Sequence, residues 1–172
     1  MSEPVRVLFV CLGNICRSPL AEGVLRHRVQ RAGLSEWIDV DSAGTGAWHV
    51  GEPPDRRMTE TAGRHHVSLA GQTARQFKAD DLAGFNHVFV MDKNNLNDVL
   101  YLDADGTFEH KVRLFREFDP EPGDFQVPDP YYGGPEGFEQ VFSMVDRTCN
   151  LMLHRLVEEH GLMEAASGLS SS

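Results

Sequence analysis

Cys11 and Arg17 stand six positions apart and frame the run Cys11-Leu12-Gly13-Asn14-Ile15-Cys16-Arg17-Ser18-Pro19. The two side chains suit attack on phosphorus. A thiolate is a strong nucleophile, and a guanidinium grips two phosphate oxygens at once with its planar fork of donors. Gly13 lets the chain between them curl tightly, so that backbone N–H groups face inward as an anion nest. The positive field of such a ring favours thiolate over thiol. One short loop can therefore bind a phosphoryl group and attack it. Zinc fits Cys11 and Cys16 less well. It wants four ligands, no second Cys or His pair stands at ligand spacing, and Arg17, next to Cys16, repels a cation.

This chemistry needs the loop held between rigid elements. Val5 to Val10 is an apolar run interrupted only by Arg6, which reads as a buried strand. Beyond the loop, Leu20, Ala21, Val24, Leu25 and Val29 recur near helical spacing. Pro19 suits a first helical turn and Ser18 an N-cap, so the loop closes on a helix N-terminus, a natural anion site. Gly33 reads as the stop of this helix. Ile38, Val40 and Ser42 alternate as a second strand, leading into a Gly- and Pro-rich loop with Trp48 and His49. Pro53-Pro54-Asp55 opens a helix to about His65, with Arg56 and Arg57 on a solvated face. His87 to Met91 is a third strand. Asp92 at its end either pairs with a basic group near the site or caps the following helix. Val112 to Phe115 is a fourth strand. Phe138, Val141, Phe142, Val145, Cys149, Met152, Leu153 and Leu156 mark a long amphipathic helix, with Cys149 as inert core.

Alternation of strands and helices predicts an α/β fold: a parallel sheet with helices on both faces and ligands at the carboxyl ends of its strands. The 172 residues, 41% hydrophobic, suit a single domain over 1–172, with a frayed tail from about residue 161. A net charge of −10 disfavours nucleic acid and acidic membranes as partners. Three cysteines make no disulfide framework, no run reaches membrane-spanning length, and a cytoplasmic location is the expectation. Residues Phe118 to Pro135 form a loop dense in Pro, Gly and Asp. Loops of this length are usually functional, and it offers Asp119, Asp124 and the proline-framed Asp129 as acids. By pattern alone, a plain turn is the favoured reading of Pro128-Asp129-Pro130, and Trp48 is equally a residue tucked on the surface.

Val10 to Pro19 closely resembles, position for position, the signature loop V-C-L-G-N-I-C-R-S-P of the low-molecular-weight protein tyrosine phosphatases. The resemblance extends to Ser42-Ala43-Gly44-Thr45, Ala74-Arg75-Gln76, Met91-Asp92 and Asp129-Pro130-Tyr131-Tyr132-Gly133. It implies a three-layer domain with a four-stranded sheet in the order 2-1-3-4. It implies Cys11 as nucleophile, Arg17 as phosphate clamp and Asp129 as general acid. Leu12, Gly13, Asn14, Ile15, Cys16 and Ser18 form the phosphate loop, in which the Ser18 hydroxyl, besides or instead of capping the helix, stabilises the Cys11 thiolate as leaving group. Trp48, Tyr131 and Tyr132 wall a pocket for an aryl group. No metal or other cofactor is required. The implied partner is a tyrosine-phosphorylated protein or small aryl phosphate, met by a monomer or weak homodimer. A reversible Cys11–Cys16 disulfide would protect the nucleophile from oxidation. Where the family has a loop-supporting His, this chain has Gln72.

Related chemistries leave marks of their own. An arsenate reductase needs further redox cysteines on a flexible segment, and an arginine phosphatase is expected to carry Thr where Ile15 stands. A phosphocarrier lacks both the Arg and the acid loop.

Overall fold

The computed structural model describes residues 3–167. Four parallel strands form one sheet in the order β2-β1-β3-β4: β1 (Val5–Cys11), β2 (Ile38–Gly44), β3 (His87–Val90) and β4 (Val112–Leu114). Helices α1 (Arg17–Arg31), α2 (Arg56–Arg64), α3 (Ala79–Gly84), α4 (Lys93–Tyr101) and α5 (Pro135–Glu159) surround it. Because β1 is central, its side chains are buried alternately on two faces. Val5, Val7, Phe9 and Cys11 join a core with α1, α2 and α5, while Leu8 and Val10 join a second core with Leu82 and Val99 from α3 and α4. The register pairs Cys11 with Gly44, and Val10 with both Ala43 and Val90. The carboxyl ends of three strands thus lie level, and the loops leaving them share one edge.

The long apolar stripe of α5 runs as its spacing predicts, and Cys149 on it is fully buried. Burial raises the Cys149 thiol well above its ordinary pKa, so it stays protonated and inert.

Three helices end in the same hydrogen-bonded motif, the amides of the two residues past the cap reaching back to carbonyls of the last turn. In α1, Gly33 and Leu34 bond to Gln30 and Val29. In α2, His66 and Val67 bond to Gly63 and Ala62, and in α5, Gly161 and Leu162 bond to Glu158 and Val157. The last of these corrects the expectation of a tail frayed from residue 161. Leu162 is buried and the Ser167 amide donates to the Ala32 carbonyl at 2.6 Å. The chain reverses at Gly161 and lays Leu162 and Ala166 on the core. The part of the expected tail at 168–172 lies outside the described residues.

Candidate active site

The loop from Cys11 to Ser18 leaves β1 and enters α1 with its carbonyls turned outward. Those of Cys11 and Leu12 accept from the Thr45 and Gly46 amides at 2.9 and 2.8 Å, and that of Ile15 accepts from the Asp55 amide at 2.7 Å. The opposite edge of each peptide faces inward. The amides of Gly13, Ile15, Cys16, Arg17 and Ser18 make no hydrogen bond among the described residues, so they line a cup at the positive end of the α1 dipole. The close passage of this loop requires Gly44. A β-carbon there would lie 2.8 Å from the Leu12 carbonyl oxygen and 3.0 Å from the Asn14 nitrogen.

Cys11 lies at the floor of the cup. Its Sγ is 2.9 Å from Ser18 Oγ and accepts from the Asn14 amide at 3.3 Å. Ser18 was expected as an N-cap. The helix instead begins two residues earlier, at Arg17, with Cys16 as cap residue and no side-chain cap bond. The serine hydroxyl therefore turns inward to the sulfur. Asn14 adopts a left-handed conformation, φ 56°, a region Asn tolerates better than most residues. Its Nδ2 donates to Ser18 Oγ at 2.8 Å and to Ser42 Oγ at 2.9 Å, and its Oδ1 accepts from the Arg75 amide at 3.0 Å. Ser42 in turn donates to the buried Glu22 at 2.6 Å. The Asn14 and Ser18 side chains thus lie beneath the cup, as its support, rather than on its inner wall. Gln72 does not reach this network: its Nε2 donates to the Pro19 carbonyl at 3.0 Å.

Arg17 closes the rim. It is 3% exposed, and its Nη1 donates to Asp92 Oδ2 at 2.7 Å and to the Val127 carbonyl at 3.0 Å. Burial opposes its charge, but Cys11, Asp92 and Asp129 hold it protonated more firmly than a free arginine. Asp92 fills both of its expected roles, since its Oδ1 also caps α4 by accepting from the Asn95 amide. Asp129 Oδ2 lies 3.6 Å from Arg17 Nη2. Its Oδ1 accepts from the Tyr131 amide at 3.0 Å. The rival acids are elsewhere: Asp119 is buried against Arg116 and Arg147, and Asp124 is turned to solvent.

A cavity of about 300 Å³ opens above the sulfur, lined by the cup and by Trp48, His49, Asp129, Tyr131 and Tyr132. Ile15 and Cys16 form part of its wall. Burial, then the nearby Asp55 and Cys11, push the Cys16 thiol far up, so Cys16 is held neutral. Tyr131 and Tyr132 meet edge to face at 4.9 Å. His49 was not singled out from the sequence. Its ring packs against Gly13 and its Nδ1 pairs with Glu52. Its place beside Trp48 on a loop after a strand was the available signal. Arg57 is exposed, as expected of a solvated face, and its Nη2 in addition donates to the Tyr131 carbonyl at 2.9 Å and so ties α2 to the acid loop. A larger groove of about 640 Å³ between α1 and α5 is lined, among the described residues, by no cysteine and by no residue of the signature loop, and lies apart from the cavity above Cys11.

No helix among the described residues is long and apolar enough to cross a membrane. The family model for low molecular weight phosphotyrosine protein phosphatase matches residues 6–162. The low molecular weight protein-tyrosine-phosphatase of Streptomyces coelicolor is 43% identical over 156 residues, covering 90% of this chain and 94% of that one. The low molecular weight phosphotyrosine protein phosphatase of Schizosaccharomyces pombe is 43% identical over 155 residues, 88% and 97% of the two chains. A protein tyrosine phosphatase from Entamoeba histolytica, solved with Hepes in its active site, superposes with a TM-score of 0.86 at 33% identity over 91% of this chain and 99% of that one. By motif, fold and relatives alike, the chain belongs to the low-molecular-weight protein tyrosine phosphatase family.

Proposed function

We propose that this protein hydrolyses phosphotyrosine in proteins, or small aryl phosphates, through a phosphocysteine intermediate. One juxtaposition carries the proposal: Cys11 Sγ at the floor of an amide-lined cup whose rim bears Arg17 and, 3.6 Å from it, the Asp129 carboxyl group. The Cys11 thiolate attacks phosphorus in line. Arg17 and the loop amides hold the equatorial oxygens as charge spreads over them. The S–P bond forms as the P–O bond to the phenol breaks, and Asp129 gives its proton to the departing oxygen. In the second step water attacks phosphorus, Asp129 takes its proton, and the S–P bond breaks to release phosphate and the thiolate. The Ser18 hydroxyl stabilises that thiolate as it leaves. Trp48, Tyr131 and Tyr132 hold the ring of the substrate, and Ile15 on the wall suits a phenyl group better than a guanidinium.

The test compares phosphotyrosine, phosphoserine, phosphoarginine and arsenate as substrates of the parent protein and of two variants. Phosphotyrosine is expected to turn over fastest. Cys11→Ser should abolish turnover, and Asp129→Asn should slow esters with poor leaving groups most, by about 10²–10⁴-fold. An active Cys11→Ser protein overturns the mechanism, and faster turnover of phosphoarginine or arsenate overturns the substrate. Single-turnover release of phosphate without recycling points to a carrier instead.

A further inference from the structure

We propose that His87, Glu159 and His160 bind one borderline divalent transition-metal ion, Zn²⁺ in the first instance, at the end of the sheet opposite the phosphate cup. His87 opens β3, paired with Val7, whereas Cys11 closes the adjacent parallel strand. Glu159 is the last residue of α5 and His160 its cap. One ligand atom from each of the three residues lies within 4.8 Å of the other two. The Nε2 atoms of His87 and His160 meet at 2.8 Å, with their rings nearly perpendicular. Two imidazoles and a carboxylate are a donor set that zinc takes readily, leaving a fourth position for water. Zinc at about 2.0–2.1 Å from each nitrogen sets neighbouring donors about 3.3 Å apart in a tetrahedron. The imidazoles need to part only slightly, and the exposed Glu159 carboxylate has room to swing in.

Three further features fit a cation here. The Glu159 carboxylate makes no hydrogen bond or ion pair among the described residues. The last turn of α5 carries no basic residue, so the negative end of a long helix dipole has no lysine or arginine partner there. The neighbouring cations are engaged elsewhere: Lys111 Nζ donates to the Leu82 and Phe85 carbonyls, and Arg113 Nε donates to Glu117. The bound ion would clip the end of α5 to the start of β3.

The probe is Zn²⁺, titrated calorimetrically into the Cys11→Ser protein, which removes the loop thiolate as a competing ligand. One equivalent should bind, shifting the ring-proton resonances of His87 and His160 and raising the melting temperature. His87→Gln and His160→Gln, each in the same background, should weaken binding at least tenfold and abolish the thermal shift. Glu159→Gln should weaken it less. With Cys11 intact, His87→Gln and His160→Gln should keep the parent rate on an aryl phosphate, which shows that the fold survives. His160→Gln alone carries the test if His87→Gln does not fold. Unchanged affinity in the His160→Gln protein, or binding that leaves both ring signals unmoved, overturns the site. So does an absence of binding at millimolar Zn²⁺.

Discussion

The phosphate cup and the acid loop meet at Arg17, yet they are held in opposite ways. The cup is supported from below by neutral side chains sharing protons: Asn14, Ser18 and Ser42, with Glu22 at the end of the chain. The acid loop is supported from within by full charges. Arg116 is buried, and donates to Asp119 at 2.9 Å and to the carbonyls of Gln126 and Glu121 at 2.6 and 2.7 Å. Arg147 of α5 adds a second bond to Asp119 at 2.8 Å. Each region contains one buried carboxylate, and their titrations are displaced in opposite directions. Burial raises Glu22, a rise that Ser42 and Arg26 only partly offset. Burial also works on Asp119, but Arg147, the Glu121 amide and Arg116 outweigh it and hold Asp119 below the usual carboxylate range. Two similarly inaccessible carboxylates therefore show opposite pH behaviour, decided by how strongly arginines face them: the single, exposed Arg26 at Glu22 against both Arg116 and Arg147 at Asp119.

The sharpest test of this contrast removes one carboxylate charge from each region. Asp119→Asn leaves Arg116 buried without its counter-ion and should cost about 4 kcal/mol of stability at pH 7, read by urea denaturation. Glu22→Gln relieves the burial of a charge while losing the Arg26 pair, and should change stability by less than about 1 kcal/mol. Acid should then separate the two further. A depressed carboxylate stabilises above its unfolded pKa and loses that contribution as pH falls through its folded value. The gap between parent and Asp119→Asn should therefore shrink between pH 7 and pH 3. A raised carboxylate has the reverse sign: its contribution is full below the unfolded pKa and is lost as pH rises through the folded value. The parent should thus gain on Glu22→Gln as pH falls. An Asp119→Asn protein as stable as the parent at pH 7 removes the electrostatic account of the acid loop.

The neutral network of the cup can be probed at its centre. Asn14→Ala orphans Ser18, Ser42 and the Arg75 amide, and leaves at φ 56° a residue that tolerates the left-handed region less well than Asn. A loss of about 3 kcal/mol is expected, together with a fall in kcat, because Cys11 loses the hydroxyl orientation Asn14 enforces. Asn14→Gly removes the bonds but tolerates the backbone angle. It should recover about 1 kcal/mol of stability and none of the kcat. Recovery of kcat by Gly would mean that the backbone angle, not the hydrogen bonds, shapes the cup.

The cup was legible in the sequence because its requirements are local. A strand, a tight loop and a helix start lie within Val5 to Val29, and their spacing alone fixes which atoms converge. The four strands and the long α5 stripe were equally plain, since burial leaves its mark on consecutive residues. What stayed hidden depends on partners far along the chain. Ser18 is expected both beside the Cys11 thiolate and as an N-cap; that only the first holds follows from the helix starting at Arg17. Asp119 is a rival to Asp129 on the same loop, and Arg147, 28 residues away, shows it to be occupied. Asp92 left two roles open because one carboxylate has two oxygens, and the fold uses one for α4 and one for Arg17. Gly161 reads as a simple end, yet Leu162 beyond it is claimed by the core.

The rim is where the two regions should differ least in stability and most in substrate binding. Trp48 is 72% exposed and Tyr132 93% exposed, so neither contributes appreciably to the folded state. Tyr131 is half-buried and held through its backbone by Arg57. Trp48→Ala and Tyr132→Ala should each leave the melting temperature within about 0.5 kcal/mol equivalent of the parent. Both should raise KM for aryl phosphates several-fold with little change in kcat, because a ring contact made equally in ground state and transition state is uniform binding. The same variants should not affect inorganic phosphate as a product inhibitor, since phosphate reaches only the amides and Arg17. If phosphate inhibition weakens in step with KM, the exposed rings shape the cup itself, and its support would not lie wholly beneath it.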